Sequence, residues 1–178
     1  MIRCYLPAGR WTDGLAELDE AESKHLAGVL RAQAGDRIEI LDGAGQWGEA
    51  EVAAPHKKHA ALRILSRKSA APFAPRRILA QALVREQKMD WLIQKAVELG
   101  VHEIWPLQTE QAVVRLRPEE AEKKAARWQA IALAACKQSG NPWMPKIAPA
   151  RKLPEALAAL RGAPGAACFG ALQEGAVP

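Results

Sequence analysis

The chain has 178 residues, 49% of them hydrophobic, with 25 Lys and Arg against 20 Asp and Glu. That length and apolar content suit one ordinary domain or two small ones with a real core, and they exclude an intrinsically disordered chain. No apolar run approaches the roughly 20 residues that span a bilayer, and Met1-Ile2-Arg3-Cys4 opens no secretory signal, so a soluble cytoplasmic protein without a membrane partner is expected.

In chain order, Arg3–Leu6, Asp36–Leu41, Trp47–Ala53 and Ala60–Ser66 read as short strands, with Asp42-Gly43-Ala44-Gly45 as turn chemistry between two of them. They predict a small barrel-like sheet. One helix interrupts them. Asp19 is its expected N-cap, Glu22 the capping-box partner, and Leu26, Val29 and Leu30 its apolar stripe, with Lys24 and Arg31 outside. Ser69-Ala70-Ala71-Pro72-Phe73-Ala74-Pro75 has no hydrophobic period and reads as a linker.

Beyond it the pattern becomes α/β. Ile78–Val84 is an apolar run expected of a strand covered on both faces. A helix from about Gln87 to Leu99 follows, its inner face Met89, Leu92, Ile93, Ala96 and Val97, and Gly100 ends it. Val101–Leu107 is the next strand, so residues 78–107 form a βαβ unit and a parallel sheet is implied. Pro118 opens a longer helix that Gly140-Asn141-Pro142 stops, with Ala121, Ala125, Trp128, Ile131, Ala132 and Ala135 on one side. Lys146–Ala148, a helix from Pro154 to Leu160, and Ala166–Leu172 continue the rhythm. The three cysteines, Cys4, Cys136 and Cys168, are far apart and form no C-x-x-C pair, so reduced, mostly buried thiols and no metal site are expected.

The positive charge is unevenly spread. Residues 1–74 carry ten charges of each sign, so the whole surplus belongs to the second part. From Val52 to Arg85 there is no acid, yet the stretch holds Lys57, Lys58, Arg63, Arg67, Lys68, Arg76, Arg77 and Arg85, with His56 and His59 among them. Such a band suits a polyanion, and it suits equally a solvated basic surface with no specific ligand. His25 and Arg31 could add phosphate contacts, although a lone helical histidine beside Leu26 is commonly a packing residue.

An open parallel sheet binds its ligand beyond the carboxyl ends of its strands. Those ends are Arg85-Glu86-Gln87-Lys88, Gln108-Thr109-Glu110-Gln111 and Leu172-Gln173-Glu174. No G-x-G-x-x-G, Walker loop, H-E-x-x-H or G-x-S-x-G occurs, which removes the usual support for dinucleotide, nucleoside triphosphate, zinc-protease and serine-hydrolase chemistry. On the outer side of the 87–99 helix, Trp91 lies between Lys88 and Lys95 near Glu98; this is a subunit contact, a stacking surface for a base, or an ordinary face with Trp over lysine stems.

The string Arg85-Glu86-Gln87-Lys88-Met89-Asp90-Trp91-Leu92-Ile93-Gln94-Lys95-Ala96-Val97-Glu98-Leu99-Gly100-Val101, followed by Ile104 and Pro106-Leu107, resembles the bacterial small-subunit ribosomal RNA methyltransferase E family. His25-Leu26 with Val29-Leu30-Arg31, Gly35-Asp36, Asp42-Gly43, Arg127-Trp128, Ile131, Cys136-Lys137-Gln138-Ser139-Gly140 and Pro145 extend the resemblance over essentially the entire chain. It implies a PUA-like RNA-binding β-barrel over residues 1–70, a linker at 71–75, and an incomplete SPOUT-type domain of the trefoil-knot α/β class over 76–178, working as a homodimer. The implied activity is transfer of a methyl group from S-adenosylmethionine to N3 of a uridine in 16S ribosomal RNA of the small subunit, with no metal.

Family members continue several tens of residues past the position matching Pro178, and that stretch holds their G-P-E-G-G segment and knotted loop. Gln111 and Asn141 stand where the family commonly has arginine. On this reading Arg85 and Lys88 form the electropositive catalytic site that stabilises a deprotonated uracil. Ala171 and Leu172 border the cofactor, and His25, Arg31, Lys57, Lys58, Arg63, Arg67, Lys68, Arg76 and Arg77 hold RNA. The competing expectation is a non-enzymatic RNA-binding module that lacks the cofactor segment.

Overall fold

A computed structural model describes residues 1–12, 14–110, 112, 114–161 and 165–168. The N-terminal part is one sheet of β1 (Arg3–Tyr5), β2 (Leu15–Glu17), β3 (Arg37–Leu41), β4 (Gln46–Ala54), β5 (Ala61–Ile64) and β6 (Lys68–Ser69). The order is β1-β3-β4-β5-β2 with β6 on β4; β1 runs parallel to β3 and the other pairs are antiparallel. Strand alternation turns Ile38, Ile40, Ala50, Val52 and Leu62 into a common core with Cys4, Leu6 and Leu26. Asp42 makes the expected β3–β4 turn: its Oδ1 accepts the Ala44 and Gln46 N–H groups at 2.7 and 2.9 Å. β2 and β6 have no apolar pattern of their own, and pairing with β5 and β4 makes them strands.

The first helix departs from its sequence pattern. Asp19 caps α1 (Glu20–Ser23) by accepting the Glu22 N–H at 2.8 Å. The Glu22 carboxylate does not return to Asp19, however; it accepts the Tyr5 N–H at 3.0 Å and Lys137 Nζ at 2.5 Å. From Lys24 to Val29 the chain is π-helical. This wider turn rotates the expected stripe, so that Leu26 is buried while Val29 and Leu30 face solvent.

The second sheet is wholly parallel. β7 (Ile78–Ala82), β8 (Glu103–Gln108), β9 (Lys146–Ile147) and β10 (Arg151–Lys152) are ordered β10-β8-β7, with β9 also on β8. Between Ile104↔Ile147 and Leu107↔Arg151 the β9–β10 side has one residue more than β8. The extra residue bulges at Pro149, which has no N–H for the ladder. Ala166–Cys168 are not in a strand, and the rest of the strand expected at 166–172 lies outside the described residues.

α2 (Glu86–Glu98) and α3 (Pro118–Ser139) cover one face of this sheet, burying Met89, Ile93 and Val97 against Ile104, Trp128, Ala132 and Cys136. α4 (Leu153–Leu160) covers the other through Ala156 against Trp105 and Leu107. β8 is therefore apolar on both sides. β7, expected to be buried on both faces, is only half-buried, because it is an edge strand among the described residues. Gly100 terminates α2 at φ +71°, its Cα side packed on Phe73 so closely that a Cβ would lie 2.5 Å from the ring. Cys168 is exposed, contrary to expectation, whereas burial pushes the Cys136 thiol up to about 12.

The N-terminal sheet is locked to the carboxyl end of α3. Besides Glu22–Lys137, Arg3 donates to the Lys137 and Gln138 carbonyls at 3.1 and 3.0 Å and to Glu39 at 2.5 Å. Tyr5, Leu41 and Trp47 pack into the core of the second sheet, and the φ +99° of Gly45 lets the turn lie on Trp143, where a Cβ would come within 2.3 Å of the ring. On the other face, Trp105 donates to Glu103 at 2.8 Å and carries the Arg151 guanidinium 4.8 Å above its ring, while Arg76 pairs with Glu103.

Replacing Lys137 with Met should cost about 3 kcal/mol in urea unfolding, because it leaves the buried Glu22 carboxylate without its cation. Adding Glu22→Gln should recover part of that loss; an unchanged midpoint for Lys137→Met would remove the pair from the junction. Burial raises the Glu103 carboxyl, but hydrogen bonds from Trp105 and Arg76 outweigh it and hold Glu103 below the usual range. Its contribution is then present above the ordinary glutamate value and disappears as pH falls through the lowered one. Melting curves of Glu103→Gln should therefore lie below wild type at pH 7 and converge with it as pH falls below the lowered value.

Candidate active site and nucleic-acid interface

The carboxyl ends of β7 and β8 place the first candidate group. Arg85 is the N-cap of α2, its carbonyl accepting the Lys88 and Met89 N–H groups at 2.9 and 3.1 Å. Beside it the charges are paired across to α3. Glu86 accepts Lys124 at 2.9 Å and lies 3.1 Å from Arg127, and Arg127 grips Asp90 with two bonds of 2.8 and 2.6 Å. The Lys124 hydrogen bond, with the charges of Lys124 and Arg127, lowers the Glu86 carboxyl. Arg85 and Lys88 remain exposed and have no hydrogen bond or ion pair through their side chains among the described residues. They are two uncompensated cations beside the positive end of a helix.

A trough of about 560 Å³ opens at the same carboxyl edge of the sheet, on the far side of β8 from β7, between β8, β10 and the first turns of α3 and α4. Its polar lining is Gln108 and Thr109 with three acids, Glu110, Glu122 and Glu155, and three cations, Arg115, Arg151 and Lys152; Leu116, Pro118 and Ala150 are among its apolar residues. Arg115, Arg151 and Lys152 escaped the sequence reading because they come from a loop and a broken strand with no motif around them. The volume suits a small molecule, but the described residues do not make a cofactor seat. Among the described residues the strand order around the trough does not reverse, whereas such sheets bind ligands where it does. The buried polar side-chain atoms lacking a partner among the described residues, Asp42 Oδ2 and Trp128 Nε1, do not line it. Ala171, Leu172 and Gln111 lie outside the described residues. Asn141, the other departure from the family pattern, is buried and structural: its Nδ2 donates to the Val97 carbonyl at 2.9 Å and its Oδ1 accepts the Trp143 N–H at 2.9 Å.

The acid-free band does not survive folding as a band. Arg63 pairs with Glu51 at 3.0 Å, Arg76 with Glu103, and Arg77 donates to the Leu99 carbonyl at 2.9 Å. Lys68 sits 4.6 Å over the Trp47 ring, and Arg67 follows β5 beside a small cleft lined by Thr12 and Leu65. Lys57 and Lys58, in the β4–β5 connection, are exposed without side-chain partners among the described residues. His56 and His59 stack there at 5.8 Å, and His59 contacts Glu17 at 2.9 Å. His25 is half-buried and Arg31 exposed at the π-helical turn. Trp91 is 61% exposed on α2, and its neighbour Lys95 pairs with Glu98 at 2.7 Å.

These groups occupy two ends of the molecule. The N-terminal sheet sits at the amino edge of the parallel sheet, against Lys137 and Trp143, while Arg85, Lys88 and the trough are at the carboxyl edge, beside the start of α3. The 22 residues of α3 separate the two ends by roughly 33 Å. Among the described residues there is no helix long and apolar enough to cross a membrane and no group of His, Cys, Asp or Glu poised to hold a metal.

Residues 72–176 match the family described as RNA methyltransferase domain, and residues 18–65 match the RNA methyltransferase PUA domain. Ribosomal RNA small subunit methyltransferase E of Bacillus subtilis is 30% identical over 127 residues, 71% of this chain and 50% of that protein. The chain thus spans about half the length of the curated relatives it matches. A crystal structure of ribosomal RNA small subunit methyltransferase E from Neisseria gonorrhoeae bound to S-adenosylmethionine is similar with a TM-score of 0.79 and 36% identity, covering 88% of this chain and 65% of that one. A Legionella pneumophila protein solved with bound S-adenosylmethionine gives 0.81 and 31%, covering 92% and 66%. With a PUA-type sheet fixed to a parallel α/β sheet and the methyltransferase match running over more than half of its length, this chain belongs to the ribosomal RNA small subunit methyltransferase E family.

Proposed function

We propose that the protein to which this chain belongs transfers a methyl group from S-adenosylmethionine to N3 of a uridine in 16S ribosomal RNA, in the cytoplasm and as a homodimer. The observation that carries the reading is the pairing of the two sheets in an arrangement similar to that of neighbours that bind that cofactor. Residues 1–70 are the PUA-like RNA-binding unit, 71–75 the linker and 76–178 part of a SPOUT-type domain whose knot completes the cofactor seat, with Ala171 and Leu172 at its border.

Uracil N3 carries a weakly acidic proton, and a paired base keeps that nitrogen engaged, so the target must be single-stranded or flipped. Arg85 and Lys88 supply what the reacting base needs from this chain: a fixed positive site that stabilises the charge left on the ring when the proton departs. Their lack of carboxylate partners supports this role, since a paired cation would be partly neutralised. Lys57 and Lys58 are the strongest of the phosphate contacts, for the same reason. His25, Arg31, Arg63, Arg67, Lys68, Arg76 and Arg77 flank the RNA, with Arg63, Arg76 and Arg77 secondary because they already serve other partners. The separation of the two ends requires an RNA that reaches from the N-terminal sheet to the carboxyl edge, on the same protomer or on its partner.

A protein of full family length, given radiolabelled S-adenosylmethionine and small ribosomal subunits, should yield N3-methyluridine in 16S RNA, read as a reverse-transcription stop. No incorporation, or methyl at another atom, overturns the assignment. Replacing Arg85 and Lys88 with Ala should lower the single-turnover rate about 100-fold or more while RNA affinity changes little. Replacing Lys57 and Lys58 with Ala should instead weaken binding and reduce the slope of log affinity against log salt by about 2; an unaltered slope would take the β4–β5 connection off the RNA.

A further inference from the structure

The end of the π-helical turn exposes what its surroundings bury. Val29 is 66% and Leu30 40% exposed, although Leu26 and Ala32 on either side belong to the N-terminal core. The Leu30 N–H reaches back five residues to the His25 carbonyl at 2.9 Å, and Ala32 N–H returns to the Leu26 carbonyl at 3.1 Å. Both apolar side chains are thus held outward on a fixed backbone. Arg31, next in the chain, has φ +54° and is the only non-glycine residue at positive φ among the described residues. Glycine adopts that conformation freely and arginine does so at a cost. That conformation ends the helical turn, since it lets the Ala32 N–H return to the Leu26 carbonyl. The Arg31 side chain takes no part in it: it is exposed and has no hydrogen-bond or ion-pair partner among the described residues, so its charge is open to a ligand.

The surrounding charge narrows the ligand. From Lys24 to Arg37 the chain carries Lys24, Arg31 and Arg37 against one acid, Asp36, whose carboxylate already accepts the Gln33 N–H at 2.7 Å. An apolar pair on a stiff turn, flanked by cations, matches a nucleic acid opened at one step: apolar side chains enter between bases while cations hold the phosphates. An apolar protein partner would cover Val29 and Leu30 but leave the cations facing nothing. We propose that Val29 and Leu30 are a wedge that enters a looped or single-stranded RNA between two adjacent bases, with Arg31 on the phosphate that joins them. This rests on the RNA-directed reading above and adds to it the residues that distort the substrate.

The test is filter binding of the 178-residue chain to 16S ribosomal RNA over a salt series, with Val29→Ser/Leu30→Ser and Arg31→Gly variants. The double variant should bind about tenfold more weakly at every salt concentration with an unchanged salt slope, because an apolar contact releases no counterions. Arg31→Gly should lose affinity and about one unit of slope, yet melt at or above the wild-type temperature, since glycine relieves the left-handed backbone. A wild-type chain that binds no RNA defeats the RNA reading and the wedge with it. Wild-type binding with an unaffected double variant overturns the wedge alone. So does a lower melting temperature in the double variant, which would return the two side chains to packing, or a loss confined to protein-containing small subunits, which would assign the turn to a ribosomal protein.

Discussion

A buried carboxylate sits at the centre of the junction between the two halves of this molecule. Glu22 takes the Tyr5 N–H of the first sheet on one oxygen and the Lys137 ammonium of the second unit on the other. The other contacts of the junction gather around it: β1 lies against the last turn of α3, Arg3 reaches the terminal carbonyls of that helix, and Tyr5, Leu41 and Trp47 close into the same core as Trp128 and Cys136. An ion pair removed from water gains little stability over an apolar contact, but it tolerates few alternative geometries. Its contribution here is one of orientation, and the apolar contacts around it supply the adhesion.

That orientation sets the two groups of exposed cations at opposite edges. The N-terminal sheet lies at the amino ends of the parallel strands and the uncompensated cations of α2 at the carboxyl ends, about a helix length away. Much of the positive charge that looks available in the linear sequence is committed to holding this frame. Arg77 satisfies the carbonyl end of α2, Arg76 secures Glu103 under Trp105, and Arg63 spans to Glu51 across the β4–β5 ladder. A count of lysines and arginines overstates the surface open to a polyanion, and the partner of each cation decides which remain.

The elements whose pattern is local were legible in the sequence. α2 and α3 announce themselves by apolar spacing, by Pro118 and by glycines at Gly100 and Gly140, both at positive φ. β8 reads as a strand because both of its faces are apolar. What stayed hidden depends on distant partners. β2 and β6 exist through the strands they pair with, β7 loses cover on its outer side, and the carboxylate partner of Lys137 lies 115 residues away. The π-helical turn is the clearest case: Leu26, Val29 and Leu30 have helical spacing, yet one widened turn sends two of the three to solvent. Of the candidate site, Arg85 and Lys88 were legible from strand-end logic, whereas Arg115, Arg151 and Lys152 converge only through the bulge at Pro149.

The cysteines carry a practical consequence. Burial pushes Cys4 to about 12, with the Glu22 charge adding to it, and Cys136 to the same value. At neutral pH neither offers thiolate to an electrophile. Cys168, exposed near the end of the described chain, is therefore the single point at which a maleimide dye or spin label can be attached without engineering, and a reporter there views the region bordering Ala171 and Leu172 against a silent background.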